Sequence, residues 1–560
     1  MNLKNILTKI SAYKIISIVL LFLLFIKSIL FVDTSFDTWD YHYPFAARIW
    51  GIVPASQYTM DAAREESFLG FGMVTEFLQG FIWKLTGRIE LTNLLSFGSL
   101  CGYIFFLWKY LKIPFESATL ALLAVPLILI HSTLSLSDLF PNFCLSAFLV
   151  LAFLMSFRQG EINTKNIVIL LFLGIFVGNS KFTLIPILFL SYFALSLRFI
   201  FIKDKEFLGN FSRKILLILI FIGFILACGT CLKNLIFYSN PFYPVEISLG
   251  WLHFNGPFPP YTQIPKYLIN APRILQWFLS VTEIDWLIRK DLIINYYIHR
   301  DLIINYYIHH SHAYFPPLVY KPTMDFFVGN FISKPGSLFV NRDGAPTGGF
   351  FGPYVLFQFF LLLYYYLINT KKVNLKKKLS LIKSNEHKNV QLNPLFISLF
   401  ILTLLTGFLP QSLELRYYMY WIIVLITANL YIAIHYYPEV FKLKWLNFIS
   451  SLVLVFVLFI TKFYYFNPNN FSSLQFIVYT NIPVVEKIKQ LKSPVCLKGY
   501  VPYTFQYAAY FNDGKYSLHQ GESSWSGASA QMVRNNKYTA LVIDKKYITQ
   551  CKKGESILTR

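Results

Sequence analysis

The sequence predicts an all-α polytopic membrane protein with about eleven spans of the length a bilayer requires. Its N terminus is expected in the cytoplasm, its first outer loop carries juxtamembrane helices, and a small C-terminal α/β domain lies outside the membrane. Three observations lead there. Of 560 residues, 55% are hydrophobic and only 14% charged, too few charges to cover a soluble protein of this size. The apolar residues are gathered into runs of membrane-crossing length. Finally, the Lys and Arg behind the net charge of +22 sit in short clusters between those runs, where they set orientation; this excludes nucleic-acid binding as their purpose.

The first span is expected over 15–32, preceded by Lys4, Lys9 and Lys14 and followed by no small-residue cleavage site, so it reads as an uncleaved anchor. Further spans are expected over 91–108, 117–134, 139–157, 164–180, 182–200, 215–236, 353–369, 393–410, 417–435 and 445–462. The segment Leu69 to Leu85 is also apolar but holds Glu76 and two central glycines. Parity assigns it to the interface. If it crossed, the basic run from Lys371 to Lys388 would face the side opposite Lys4, Lys9 and Lys14. If it does not, every basic cluster lies inside, including Lys109 with Lys112, Arg158 with Lys165, Arg198 through Lys214, and Lys442 with Lys444.

This topology divides the chain into a transmembrane domain over 1–462 and a C-terminal domain over 463–560, with outer loops over 33–90 and 237–350. In the last segment, strand-like runs such as Tyr538 to Ile543 alternate with a helix-like stretch around Tyr503 to Phe511. Cys496 and Cys551 there would form a disulfide in an oxidising compartment. Six cysteines in all make no disulfide framework, and Cys228 and Cys231 lie inside an apolar run, where packing is the expected role. The nonapeptide DLIINYYIH occurs twice, from Asp291 and from Asp301, a tandem duplication too short for a solenoid. The adjoining His309, His310 and His312 lack acids or cysteines at ligand spacing.

Ionisable groups at span ends matter because burying them near lipid is costly. Four clusters fall on the outer face: Asp37, Asp40, His42 and Tyr43 after the first span; Asp138 before the fourth; Lys181 between the fifth and sixth; and Glu414, Arg416 and Tyr417 before the tenth. Paired carboxylates and cations suit a reaction in which an acceptor hydroxyl loses a proton while a phosphate leaves a sugar. A carboxylate, Asp40 or Asp138, takes the proton. Lys or Arg neutralises the phosphate, Arg with a bidentate fork. Each charge taken singly also suits a solvated loop residue or a snorkelling anchor; four on one face favour function.

These residues resemble the glycosyltransferase C superfamily of polyprenyl-phosphate-sugar transferases, the lipid A aminoarabinose transferase and protein O-mannosyltransferase type, over roughly 1–440. Asp40 through Pro44 is similar to the acidic first-loop motif, and Gly70 through Gly87 to the juxtamembrane helix. Asp138-Leu-Phe-Pro is similar to the second acidic motif, Lys181-Phe-Thr to the Lys-Tyr/Phe-Thr motif, and Arg416-Tyr417 to the late Arg-Tyr motif. Lys233-Asn234 with Asn240 through Pro244 resembles the exit of the seventh span, with Ser239 where Gly is usual.

The resemblance implies a GT-C-like fold and an inverting transferase. It implies a polyprenyl-phosphate-sugar donor, an envelope glycan, lipid or protein acceptor, and an active site on the periplasmic face of a bacterial inner membrane. It places Asp40 near the acceptor as base and cationic residues around the donor phosphate. Two departures stand out: Asp37 and Asp40 are not adjacent, and Glu65 with Glu66 replaces an acidic-basic pair. No GxGxxG or GxxxxGK loop occurs, and a lipid-phosphate leaving group needs none. No cofactor is demanded. A divalent metal shared by Asp40 and Asp138 is left open, although two carboxylates make a short ligand set. The rival reading is a lipid-linked-sugar flippase or transporter, which favours repeated halves and mid-membrane charges over charges at span ends. Gly348, Gly349 and Gly352 beside Pro353 mark a tight re-entry before the eighth span, where close packing is the simpler role.

Overall fold

The computed structural model describes residues 11–33, 37–158, 160–202, 211–249, 251–258, 264, 270–282, 349–378, 392–437, 443–460, 486–498, 503–510, 517–520, 551–552 and 555–559. The DLIINYYIH repeat, the His309–His312 cluster, Gly348 and the run Tyr538 to Ile543 lie outside them. The described chain is mainly helical. In order it forms α1 (Ala12–Leu30), a π-turn (Thr38–His42), α2 (Tyr43–Trp50), β1 (Tyr58–Thr59), α3 (Ala62–Gly70), α4 (Val74–Thr86), α5 (Leu94–Leu111), α6 (Phe115–Leu123), α7 (Pro126–His131), α8 (Leu139–Phe157), α9 (Thr164–Gly178) and α10 (Ile185–Phe201). Then come α11 (Arg213–Ala227), α12 (Gly229–Tyr238), the hairpin β2 (Ile247–Leu249) and β3 (Leu252–Phe254), α13 (Arg273–Thr282), α14 (Gly352–Lys378), α15 (Leu392–Phe408), α16 (Met419–His435) and α17 (Leu443–Ile460). The C-terminal part adds β4 (Val495–Lys498), α18 (Tyr503–Tyr510), β5 (Leu518–Gln520) and β6 (Ser556–Thr559).

Six of the described helical segments are long and apolar enough to cross a membrane, or seven if the bent pair α11 and α12 is one span. These are the helices of a membrane protein. Their surroundings differ: 89% of the apolar window of α8, and of α16 with its preceding turn, is enclosed by protein, against 28% for α1. The two enclosed helices form the centre, while α1 exposes Ile18, Val19 and Phe22, as a helix facing lipid does. Polar side chains lace the centre together. Asn142 Oδ1 accepts from the Tyr420 backbone N–H at 2.8 Å, and Tyr103 and Thr427 share a hydrogen bond of 2.9 Å.

Within the described residues each apolar run expected to span is mainly helical, but those beginning at 164, 393 and 445 form shorter apolar helices than the six counted above, and two others are not straight. The run over 117–134 divides into α6 and α7, because Pro126 takes the first position of a new helix after Val125 turns extended. The run over 215–236 bends by 57° between α11 and α12. Cys228 ends the first of these helices, and the buried Cys231 packs in the second. The segment around Glu76 is only the 13-residue α4, about 20 Å long at 1.5 Å per residue, short of a hydrocarbon layer of about 30 Å. It lies against α2, with Trp50 donating to the Phe77 carbonyl at 2.8 Å.

Close backbone approach fixes α9 beside α11. A Cβ on Gly178 would stand 2.1 Å from the Ala227 carbonyl oxygen, whereas one on Gly98 would meet nothing. Gly178→Ala is therefore expected to cost about 1–3 kcal/mol through overpacking, and Gly98→Ala nothing. Thermal unfolding of both variants in detergent measures the difference; equal midpoints would show that the α9–α11 contact is loose.

Outside the helices, a four-stranded sheet runs in the order β1, β5, β4, β6, all parallel. Its edge strand comes from the first loop: Tyr58 pairs with Leu518 and Thr59 with His519. Beneath it a second core gathers Trp39, Tyr43, Tyr58 and Trp83 of the first loop with Val495, Leu497 and Phe505 of the C-terminal part. A disulfide joins Cys496 to Cys551.

Candidate functional site

The π-turn after α1 and the beginnings of α8, the α10 turn and α16 converge, so residues far apart in sequence share one partly buried polar cluster. Arg416, in the 3₁₀ turn that leads into α16, is its hub. Its Nη1 donates to Asp37 Oδ2 at 2.7 Å, its Nε to Glu414 Oε1 at 2.6 Å, and its Nη2 to the Tyr417 hydroxyl at 2.9 Å. Lys181 lies 4.2 Å from the centre of the Tyr417 ring and forms an ion pair with Asp138. Asp138 sits at the N-cap of α8, where the helix dipole favours its charge. Asn142, one turn on, donates to the Asp138 carbonyl at 2.7 Å.

A second group adjoins it. Asp40, in the π-turn, is 1% exposed and pairs with Arg64 of α3. Asp61 caps α3 by accepting from the Arg64 N–H at 2.9 Å, so the helix start and the pairing side chain are set together. His42 Nδ1 meets Glu76 Oε1 at 2.7 Å, and its Nε2 faces Ser137 Oγ at 3.4 Å, one residue before Asp138.

The local charges act differently on the two first-loop acids. Burial pushes the Asp37 carboxyl up, but the charge and hydrogen bond of Arg416 outweigh it and hold Asp37 below the usual carboxylate range. For Asp40 burial wins: it is raised to about 6 in spite of Arg64, with Asp61 and Asp37 adding to the rise. Among the described residues, Asp40 Oδ1 has no hydrogen-bond partner. A carboxylate tuned near neutrality with one oxygen unengaged can accept a proton. Arg64→Met is expected to raise Asp40 above about 6, because the attractive charge is lost and the burial remains. Infrared titration of the carboxyl band in both proteins checks the direction, and an unchanged midpoint would remove Arg64 as the tuning charge.

The structure brings together Asp37, Asp138, Lys181, Glu414, Arg416 and Tyr417, and places Asp40 and His42 beside them through their shared turn. Two expected site residues lie elsewhere. Tyr43 is a core residue with no exposure, its hydroxyl donating to Ser135 and its ring edge-on to Trp39. Lys233 is turned to the Leu69 carbonyl, and Asn234 beside it donates to the carbonyl of Gly70 at 2.7 Å, tying α12 to the first loop. Arg64, the Glu76 carboxylate as partner of His42, Ser137 and Asn142 are missing from the sequence expectation. Arg64 was legible only as a lone cation beside Glu65 and Glu66; its meaning depends on how α3 folds back onto the π-turn.

Asp40 and Asp138 are each paired with a cationic side chain, Arg64 and Lys181, whose charge competes with a shared divalent cation for those carboxylates. Among the described residues, the three-member group of potential metal donors is Cys496, Cys551 and Glu555, and its cysteines are joined to each other. Comparison with protein-family models, with curated proteins and with solved structures returns no match.

Proposed function

We propose that the chain is a multi-pass membrane glycosyltransferase of the GT-C type, with about eleven crossings and a cytoplasmic N terminus. In this reading it moves a sugar from a polyprenyl-phosphate donor to an acceptor hydroxyl on the periplasmic face of an inner membrane. The observation that carries it is the meeting of two cations, Arg416 and Lys181, at the ring of Tyr417, with the buried Asp138 paired to Lys181 and the buried Asp40 in the adjoining π-turn. That arrangement suits a single displacement at the anomeric carbon. The acceptor O–H bond breaks as Asp40 takes the proton, the new bond forms from the acceptor oxygen to the anomeric carbon, and the C–O bond to phosphate breaks with its electron pair leaving on the phosphate. One displacement inverts the centre. Arg416, held in a fixed plane by Asp37 and Glu414, presents a guanidinium to the departing charge, and Lys181 supplies a second cation. A lipid-linked donor dissolves in the same bilayer as the apolar helices, so no nucleotide fold is required.

The competing reading, a flippase for the same lipid, shares the headgroup chemistry but not the need for a base. Reconstitution of the purified chain in vesicles loaded with polyprenyl-phosphate sugars separates the two. A transferase releases polyprenyl phosphate and builds a glycoside without moving the donor between leaflets; donor that crosses intact and unconsumed would refute the transferase.

A further inference from the structure

Two structural routes connect the C-terminal part to the Asp40 site. The first is the sheet. Leu518 N–H donates to the Gln57 carbonyl at 2.9 Å and thereby holds β1, and only Met60 separates β1 from Asp61, the cap that fixes Arg64. On the other side of β5, Cys496 pairs in register with His519, and the Cys496–Cys551 bond staples β4 to the segment that enters β6. His519 and Glu555 hydrogen-bond at 3.1 Å within this layer. The second route is aromatic. Phe505 of α18, 1% exposed, sets its ring 5.1 Å from Tyr58, 6.4 Å from Trp39 and 6.5 Å from Trp83. Trp39 immediately precedes Asp40 and is itself pinned by donating to the Asp33 carbonyl at 2.7 Å. One route ends on Arg64 and the other on the π-turn that carries Asp40, so both members of the ion pair are held from the same side.

We infer that the C-terminal segment is a positioning element of the Asp40 site, with Phe505 and the disulfide-stapled sheet holding Asp40 and Arg64 in mutual register. They act through other residues and touch no substrate. For its activity readout the inference rests on the transferase reading; its structural half does not. If the staple or the Phe505 wedge is loosened, Arg64 is held less firmly against Asp40, the carboxylate loses part of the charge that opposes its burial, and proton acceptance fails at a higher pH than before. Donor binding, which draws on Arg416 and Lys181, is left alone.

The test uses the full chain with Cys496 and Cys551 both replaced by Ser, and separately Phe505→Leu, which keeps an apolar filling but removes the ring edges. Hydrogen exchange of the intact proteins is read first. Faster exchange over Tyr58–Arg64 with unchanged protection in α8 and α16 supports the inference, and unchanged exchange over Tyr58–Arg64 in both variants overturns it whether or not the protein transfers sugar. Turnover with a polyprenyl-phosphate sugar is read second. The expected result is a fall of about tenfold in kcat, donor KM within about twofold, and an acidic limb moved to higher pH. A limb that stays in place, or a loss confined to donor KM, overturns the positioning role. A wild-type chain that shows the exchange coupling but consumes no donor overturns the transferase reading and the catalytic half of the inference with it.

Discussion

Asp40→Asn is expected to insert and fold as the wild type does while turnover falls by about 10²–10⁴-fold, the usual loss when a general base is removed. The amide keeps the shape of the carboxylate and one oxygen for Arg64 but has no basic lone pair matched to a hydroxyl proton. The wild type should show the corresponding pH dependence. Asp40 is raised to about 6, so the ionised, proton-accepting form is dominant above that value and is lost as the pH falls through it. Turnover should therefore drop on the acidic side of about pH 6. Single-turnover measurements across pH 4.5–8 (roughly the window around such a base) check both statements; full activity in a correctly inserted Asp40→Asn protein would falsify the assignment.

Removal of Arg416 should have an effect of similar size for a different reason. Arg416 is the hub of three hydrogen bonds, so in the proposed reaction Arg416→Ala would deprive the departing phosphate of a fork, and it removes the cation that Asp37 and Glu414 share. Loss of one preorganised donor to developing charge costs about 3–4 kcal/mol, on the order of 10²–10³ in rate. Arg416→Lys should retain part of the activity, since an ammonium restores the charge but cannot span Asp37, Glu414 and the phosphate in one plane. Donor affinity and kcat measured for both variants decide the matter. Unchanged values in a folded Arg416→Ala protein would transfer the phosphate to Lys181.

Much of the site was legible because lipid makes charge expensive. Asp138, Lys181 and Arg416 stand out in sequence as ionisable residues at the ends of apolar runs, and the structure gathers all three. Tyr43 and Lys233 were drawn into the expectation by their neighbours in the motifs, yet one fills the core and the other holds a loop carbonyl. Residue type and motif membership cannot separate those roles, since an aromatic ring or a lysine serves either. Arg64 and Glu76 were harder. Each belongs to a short helix of the first loop, and only the fold of that loop aims them at Asp40 and His42. The helix break at Pro126 could have been anticipated from the proline itself, because an apolar run of sufficient length does not guarantee one continuous helix. The alternation of the last segment pointed to a sheet there, but its edge strand had no readable signal: a two-residue strand in a loop near the N terminus carries no periodicity, and its partner lies at the other end of the chain.

Asn142 has a consequence for motion. Its amide nitrogen donates to the Asp138 carbonyl and its oxygen accepts from the Tyr420 backbone N–H, both buried at the entrance of the two central helices. The Asp138 bond lies within α8 and would move with it, but sliding α8 past α16 by even one residue, about 1.5 Å, would part the Asn142 oxygen from the Tyr420 N–H and strand both away from water, at about 1–3 kcal/mol for each. The helices that carry Asp138 and lead from Arg416 are thus tied to one another at the level of those two residues. Any motion that slid them past one another would have to break this tie first.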